Sequence, residues 1–195
     1  MKKIIRIVTI MSISAALLSS MGMAQIPKNQ LNVLEFQPRA ATAFFIDNDS
    51  NDSNCSNSRV GFNEYLSDTG HYNNDARRQI TKGNQYKTYY RWSLKKAYQF
   101  TGGVYAQLNV WLNNKYFLDP AAEYSINSGD SYSFYTLGTI DQKYAKAGWN
   151  ATPRVYLPKY SSDPYTYSYM AELTPSGRNI SGYTGADAIQ MIYTK

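Results

Sequence analysis

The chain has 195 residues, 17% of them charged, with a formal net charge of +6, one cysteine, one histidine and 19 tyrosines. Three of the basic residues, Lys2, Lys3 and Arg6, fall within the first six positions, so the rest lacks the concentrated basic face that a nucleic-acid partner requires. The lone Cys55 excludes an intrachain disulfide, and an exported domain of this length must then rest on its apolar core.

Lys2, Lys3 and Arg6 form a basic n-region. Ile7 to Leu18 is an apolar stretch too short to span a bilayer, and Gly22-Met23-Ala24 supplies small residues before a cleavage point. Residues 1–24 are therefore expected to be a cleaved signal peptide that delivers a secreted, extracellular protein with no membrane span. Residues 25–42, interrupted by Pro27 and Pro38, read as an N-terminal arm. Residues 43–195 read as one folded domain.

Ala43 to Ile46 predicts a first strand. Asp47 to Ser58 is almost entirely Asp, Asn and Ser, which predicts a loop with Cys55 exposed in it. Runs of this kind sometimes hold calcium, although this one lacks the Gly and Glu of an EF-hand loop. Val60 to Tyr65 follows, then a turn at Gly70-His71-Tyr72-Asn73-Asn74-Asp75. Arg77-Arg78 reads as solvated loop or strand-edge charge. Lys87 to Leu94 predicts a strand with Thr88, Tyr90 and Trp92 on one face.

Val104 to Leu112 alternates strictly, with Val104, Ala106, Leu108, Val110 and Leu112 against Tyr105, Gln107, Asn109 and Trp111. That pattern predicts a half-buried strand whose aliphatic set points inward and whose Trp111 points away from the core. Further strands are expected at Tyr124–Ile126, Phe134–Ile140, Arg154–Leu157, Tyr165–Leu173 and Ala188–Tyr193, with Pro158, Pro164 and Pro175 between them or at their ends. No segment has convincing helical amphipathicity. The expected fold is all-β, an antiparallel β-sandwich of jelly-roll type.

The order of these pieces resembles the golvesin C-terminal domain, also described as the xanthan-lyase carbohydrate-binding-like domain. The resemblance is carried by Ile46-Asp47-Asn48-Asp49, Gly70-His71-Tyr72, Arg91-Trp92, Gly103-Val104-Tyr105, Val110-Trp111, Tyr124-Ser125-Ile126, Gly148-Trp149 and the closing Ala186-Asp187-Ala188-Ile189. It departs at His71, where the family has an aromatic residue, and in the stretches 51–58 and 79–88. The resemblance implies a non-catalytic β-sandwich of the kind appended to polysaccharide-active or other secreted enzymes. Such a module would act alone or beside a separate secreted enzyme.

The residues themselves show no catalytic set. One His and one Cys in polar segments make no dyad, and no Gly-x-Ser-x-Gly turn, zinc spacing or phosphate-cradling Gly loop is present. Binding chemistry fits better. Trp111 and Tyr105 share one face of a strand with Gln107 and Asn109 between them, so rings for stacking on sugar CH faces alternate with amides for hydroxyls. Tyr156, Tyr160, Tyr165, Tyr167 and Tyr169 form a second aromatic group, and Tyr156 joins the candidate ligand residues. Asp47, Asn48, Asp49 and Asp187 read as structural turn and strand motifs. The sequence thus points to a module that binds polysaccharide or a cell-surface glycan without a required cofactor. The alternative is a matrix or envelope protein that assembles with itself.

Overall fold

The structure is a computed structural model that describes residues 41–50, 55–80, 88–94, 103–113, 115–127, 133–158, 169–177 and 182–195. The expected signal peptide, nearly all of the arm, and Tyr160, Tyr165 and Tyr167 lie outside the described residues. The strands are β1 (Thr42–Ile46), β2 (Cys55–Val60), β3 (Glu64–Ser67), β4 (Asp75–Ile80), β5 (Tyr89–Leu94), β6 (Val104–Leu112), β7 (Ala122–Asn127), β8 (Phe134–Ile140), β9 (Gly148–Ala151), β10 (Val155–Leu157), β11 (Met170–Thr174), β12 (Tyr183–Ala186) and β13 (Ile189–Thr194). The only helical element among the described residues is a 3-10 turn at Tyr72–Asn74.

The strands build an antiparallel β-sandwich. One sheet runs β1-β13-β6-β10, with β9 also paired to β6. A second runs β2-β5-β11-β7-β8, and a small third sheet runs β12-β4-β3. Alternation decides which side of each strand is buried. In β6 every second residue is buried, from Val104 to Leu112, as its sequence predicts. In β5 the buried set is Tyr90, Trp92 and Leu94, and in β13 it is Ile189, Met191 and Tyr193. Together with Tyr124, Ile126, Ala171 and Leu173 from the second sheet, these residues make one apolar core.

Four expectations are corrected. Cys55–Ser58 is not loop but the first part of β2, paired with β5 from Cys55↔Leu94 to Val60↔Tyr89, and Cys55 is buried in the core. Backbone pairing to one neighbour is enough for a polar edge strand, which needs only an occasional inward residue. His71 is buried rather than part of a solvated loop. Arg77 and Arg78 belong to β4, the middle strand of the small sheet, where Arg77 lies over the Tyr65 ring at 4.7 Å and Arg78 over Tyr183 at 3.8 Å. Finally, the closing Ala186-Asp187-Ala188-Ile189 is not one strand. Gly185 and Ala186 end β12, Ile189 begins β13, and Asp187-Ala188 carries the chain from one sheet to another.

This crossover is held by buried polar groups. Asp187 Oδ2 lies 3.1 Å from His71 Nδ1 and accepts from the Tyr72 backbone N–H at 3.2 Å, while Oδ1 accepts from Ala188 N–H at 2.8 Å. The Asp187 carbonyl accepts from Trp92 Nε1 at 2.9 Å. One step earlier, Gln142 bridges Gly185 through both backbone groups, at 2.9 and 3.0 Å, and Asp119 accepts from the Thr184 hydroxyl at 2.6 Å. A side chain at Gly185 would collide with the Phe117 ring, whose nearest atom is 1.8 Å from the place of a Cβ. That close approach requires glycine.

Two expectations follow for stability. Trp92→Phe keeps a ring but orphans the buried Asp187 carbonyl. Urea denaturation should show a loss of roughly 1–3 kcal/mol from the unsatisfied group, whereas Tyr144→Ala, at a ring 75% exposed, should stay within about 0.5 kcal/mol. Burial pushes the Asp187 carboxyl above the usual carboxylate range, against the hydrogen bonds from His71 and Tyr72. A raised folded pKa contributes stability that is complete below the unfolded value and is lost as pH rises through the folded one. The stability of the native chain minus that of Asp187→Asn should therefore fall as pH increases from acid toward neutrality.

Candidate functional site

The outward face of the β1-β13-β6-β10 sheet concentrates the exposed aromatic rings, and β6 is its spine. Tyr105, Gln107, Asn109 and Trp111 all lie on the side of β6 opposite the core residues. Pairing then fixes the neighbours of each: Trp149 on β9 opposes Trp111, Tyr156 on β10 opposes Tyr105, and Gln190 on β13 opposes Asn109. Phe45 on β1 opposes Gln190. Tyr105 and Trp111 lie six residue steps apart on an extended strand, a span of roughly 20 Å.

At one end the rings pack edge to face. Trp111 and Trp149 have centroids 5.3 Å apart at 83°, Tyr72 sits 5.6 Å from Trp111 and 5.5 Å from Trp149, and Phe45 lies 6.0 Å from Trp149. This geometry suits the aromatic quadrupoles and fixes the ring orientations. Trp111 is half-buried beneath its neighbours, and its indole N–H is 3.4 Å from the Gly70 carbonyl. Phe45 and Trp149 are the open surface here, 58% and 38% exposed.

At the other end Tyr105 and Tyr156 stand 5.3 Å apart at 60°, 48% and 53% exposed. The Tyr156 ring covers Gly103, where any Cβ would fall 2.0 Å from its hydroxyl.

Between the two ends lies a belt of amides. Gln107 Nε2 donates to the Thr152 carbonyl at 2.7 Å, and Asn109 Nδ2 donates to Gln190 Oε1 at 2.8 Å. Arg154 Nε is 3.4 Å from Gln107 Oε1. Gln107 and Asn109 are therefore oriented by the protein rather than freely presented, and fixed polar groups flanked by rings offer a pre-set pattern to a ligand.

Of the residues expected from the sequence, Trp111, Tyr105, Gln107, Asn109 and Tyr156 share this one face. Tyr169 does not, since its ring packs against the buried Tyr193 at 5.2 Å. Phe45, Trp149 and Tyr72 also belong to this face. The Phe44-Phe45 doublet was the available signal, because adjacent residues of a strand point to opposite sides. Phe44 turns inward onto Tyr193, which leaves Phe45 outside. The position of Trp149 depends on a register with β6 that no local pattern reveals.

The acidic turn after β1 lies apart from the amide belt. It is closed by Ser50 N–H to the Asp47 carbonyl at 3.1 Å and Asp47 N–H to Ser50 Oγ at 2.8 Å. Asp47 Oδ1 accepts from Asn48 N–H at 2.8 Å, and Oδ2 accepts from the Asn73 side chain. Asp47 and Asp187 thus grip the same 3-10 turn, the first through Asn73 and the second through Tyr72. Burial, aided by the charges of Asp75 and Asp49, pushes the Asp47 carboxyl up to about 6 despite the donations from Asn73 and Asn48. Asp75 is also raised by burial, and its Oδ2 accepts from the Tyr65 hydroxyl at 2.9 Å.

No family model and no curated protein matches the sequence. Among solved structures the chain is similar to Paenibacillus xanthan lyase, at 16% identity and a TM-score of 0.45, covering 77% of this chain but only 13% of that one. It is also similar to the K1 cleaved adhesin domain of Lys-gingipain from Porphyromonas gingivalis W83, at 14% identity and a TM-score of 0.41 over 79% of this chain and 98% of that one. CBM29-2, a family 29 carbohydrate binding module, is similar at 9% identity and a TM-score of 0.39 over 80% of this chain and 91% of that one. These are likenesses of fold.

Proposed function

We propose that the protein is a secreted, non-catalytic module that holds polysaccharide or a cell-surface glycan on the outer face of its β6 sheet. The observation that carries this reading is the pairing of exposed rings at both ends of one strand, Phe45 and Trp149 at one and Tyr105 and Tyr156 at the other. Rings shielded from solvent by a flat sugar face lose apolar exposure that a monomer would otherwise carry. The oriented Gln107–Asn109–Gln190 belt supplies hydrogen bonds to hydroxyls between them. The roughly 20 Å span along β6 suits an extended chain rather than a single sugar. The basic, apolar leader of residues 1–24 supports export, and the golvesin-type order of motifs supports a binding role beside a separate secreted enzyme.

A second reading, self-assembly in a matrix or envelope, is favoured by one feature. The second sheet ends on β2 and β8, six and seven residues long, and edge strands of that length can template pairing with another copy. Light scattering across a concentration series separates the two, because glycan binding by a monomer needs no oligomer.

Retention of the folded protein on insoluble glycans and cell-wall material tests the first reading. Trp149→Ala and Tyr156→Ala should each weaken retention roughly tenfold, the scale of an aromatic anchor truncated at an interface, in protein that circular dichroism shows to be folded. Binding that survives both substitutions together, or a folded protein that no glycan in the panel retains, would overturn the proposal.

A further inference from the structure

The acidic turn has a chemistry of its own that the aromatic face does not use. Asp47 and Asp49 flank Asn48 in the turn after β1, and Asp75 opens β4. One oxygen from each of the three carboxylates lies within 4.8 Å of the other two. Like charges at that spacing repel, yet none of the three enters an ion pair among the described residues, where the pairs formed are His71–Asp187, Arg78–Glu64 and Arg91–Glu172.

A separate observation comes from Asn48. It is 1% exposed, and its Oδ1 has no hydrogen-bond partner. Its amide is turned to the Asp75 carboxylate. Asp75, 7% exposed, likewise keeps Oδ1 unpartnered while Tyr65 occupies Oδ2. Buried polar atoms are almost always satisfied. Here a buried amide oxygen of the acidic turn and a buried carboxylate oxygen of the cluster are both held without partners.

We propose that Asp47, Asp49, Asp75 and the side-chain oxygen of Asn48 bind one calcium ion. The donor set is all oxygen, which selects a hard cation and disfavours zinc or copper, whose sites use His and Cys. Calcium accepts six to eight oxygens in irregular arrangements and completes its shell with water, whereas magnesium demands near-octahedral geometry. A turn that offers neighbouring side chains from positions 47 to 49 plus one from a distant strand fits the looser requirement. Two of the ligands are already held by protein donors, Asp47 by Asn73 and Asp75 by Tyr65, as outer-shell partners position metal ligands elsewhere.

The test uses the full chain, stripped with a chelator and then titrated with calcium chloride while the thermal midpoint is followed. The midpoint should rise with calcium, as it does for any ligand that binds only the folded state, and rise less with magnesium at equal concentration. Asp49 is exposed, so Asp49→Asn should fold normally and require at least roughly tenfold more calcium for the same shift, because affinity follows the ligand charge count. Glu123→Gln, at an exposed carboxylate on β7, should behave as the native chain does. Terbium emission provides a second readout: Tyr65, bonded to Asp75, should sensitise it in the native chain and fail to do so in Asp49→Asn. A native chain whose midpoint ignores millimolar calcium would overturn the site, as would equal calcium dependence in the native chain, Asp49→Asn and Asp75→Asn.

Discussion

The fold turns on burying Asp187 at the point where the chain leaves the small sheet and enters the β6 sheet. A crossover between layers exposes backbone groups to the core, and each must find a partner or cost free energy. Here Trp92 donates to the Asp187 carbonyl and Gln142 satisfies both backbone groups of Gly185, while His71 and Asp119 bond the Asp187 and Thr184 side chains. The His71–Asp187 contact alone joins residues 116 apart in sequence. His71 is in turn packed against the rings of Tyr116 and Phe117, at 5.5 and 5.2 Å. Because Phe117 occupies the space above Gly185, no larger residue fits there. Polar satisfaction and steric exclusion therefore specify one path for the chain.

The aromatic face inherits its shape from this junction. Asp187 accepts from the backbone of Tyr72, and the Tyr72 ring leans on both Trp111 and Trp149. The turn itself needs left-handed backbone at Asn73 and Asn74, with φ of 50° and 66°, a conformation that asparagine tolerates better than most residues. Tyr-Asn-Asn is thus a sequence suited to placing one ring outward while its backbone faces a buried carboxylate. Without that turn Trp111 would lose the cover that keeps it half-buried, and the exposed surface would no longer be limited to Phe45 and Trp149.

The sequence disclosed those parts of the fold in which a single strand carries its own signal. Val104–Leu112 alternates over nine residues, and its burial follows the alternation residue for residue. The inward set of Tyr90 and Trp92 was readable in the same way. Cys55–Val60 was not, because Cys-Ser-Asn-Ser-Arg-Val has the composition of a loop and becomes a strand only through its ladder with β5. Asp75–Ile80 was hidden for a related reason: its arginines shield their charge over tyrosine rings rather than leaving it in solvent. Of the outer face, Trp111, Tyr105 and Tyr156 were legible from parity. Trp149 depends on which strands become neighbours, and pairing across more than 30 residues leaves no trace in local composition.

Two acidic residues at opposite ends of the domain illustrate how local and distant information combine. Asp47 follows β1 and Asp187 precedes β13, and β1 pairs with β13 from Thr42↔Tyr193 to Ile46↔Ile189. Their proximity follows from that register. Their division of labour follows from burial. Asp187 is fully enclosed and spends both oxygens on protein donors, which suits a fixed structural group. Asp47 is half-buried, stands beside two further carboxylates, and reaches the same turn through Asn73. Any force that draws the acidic turn together therefore acts on the segment that positions Tyr72, so the geometry of the acidic turn and that of the aromatic face are set by the same residues.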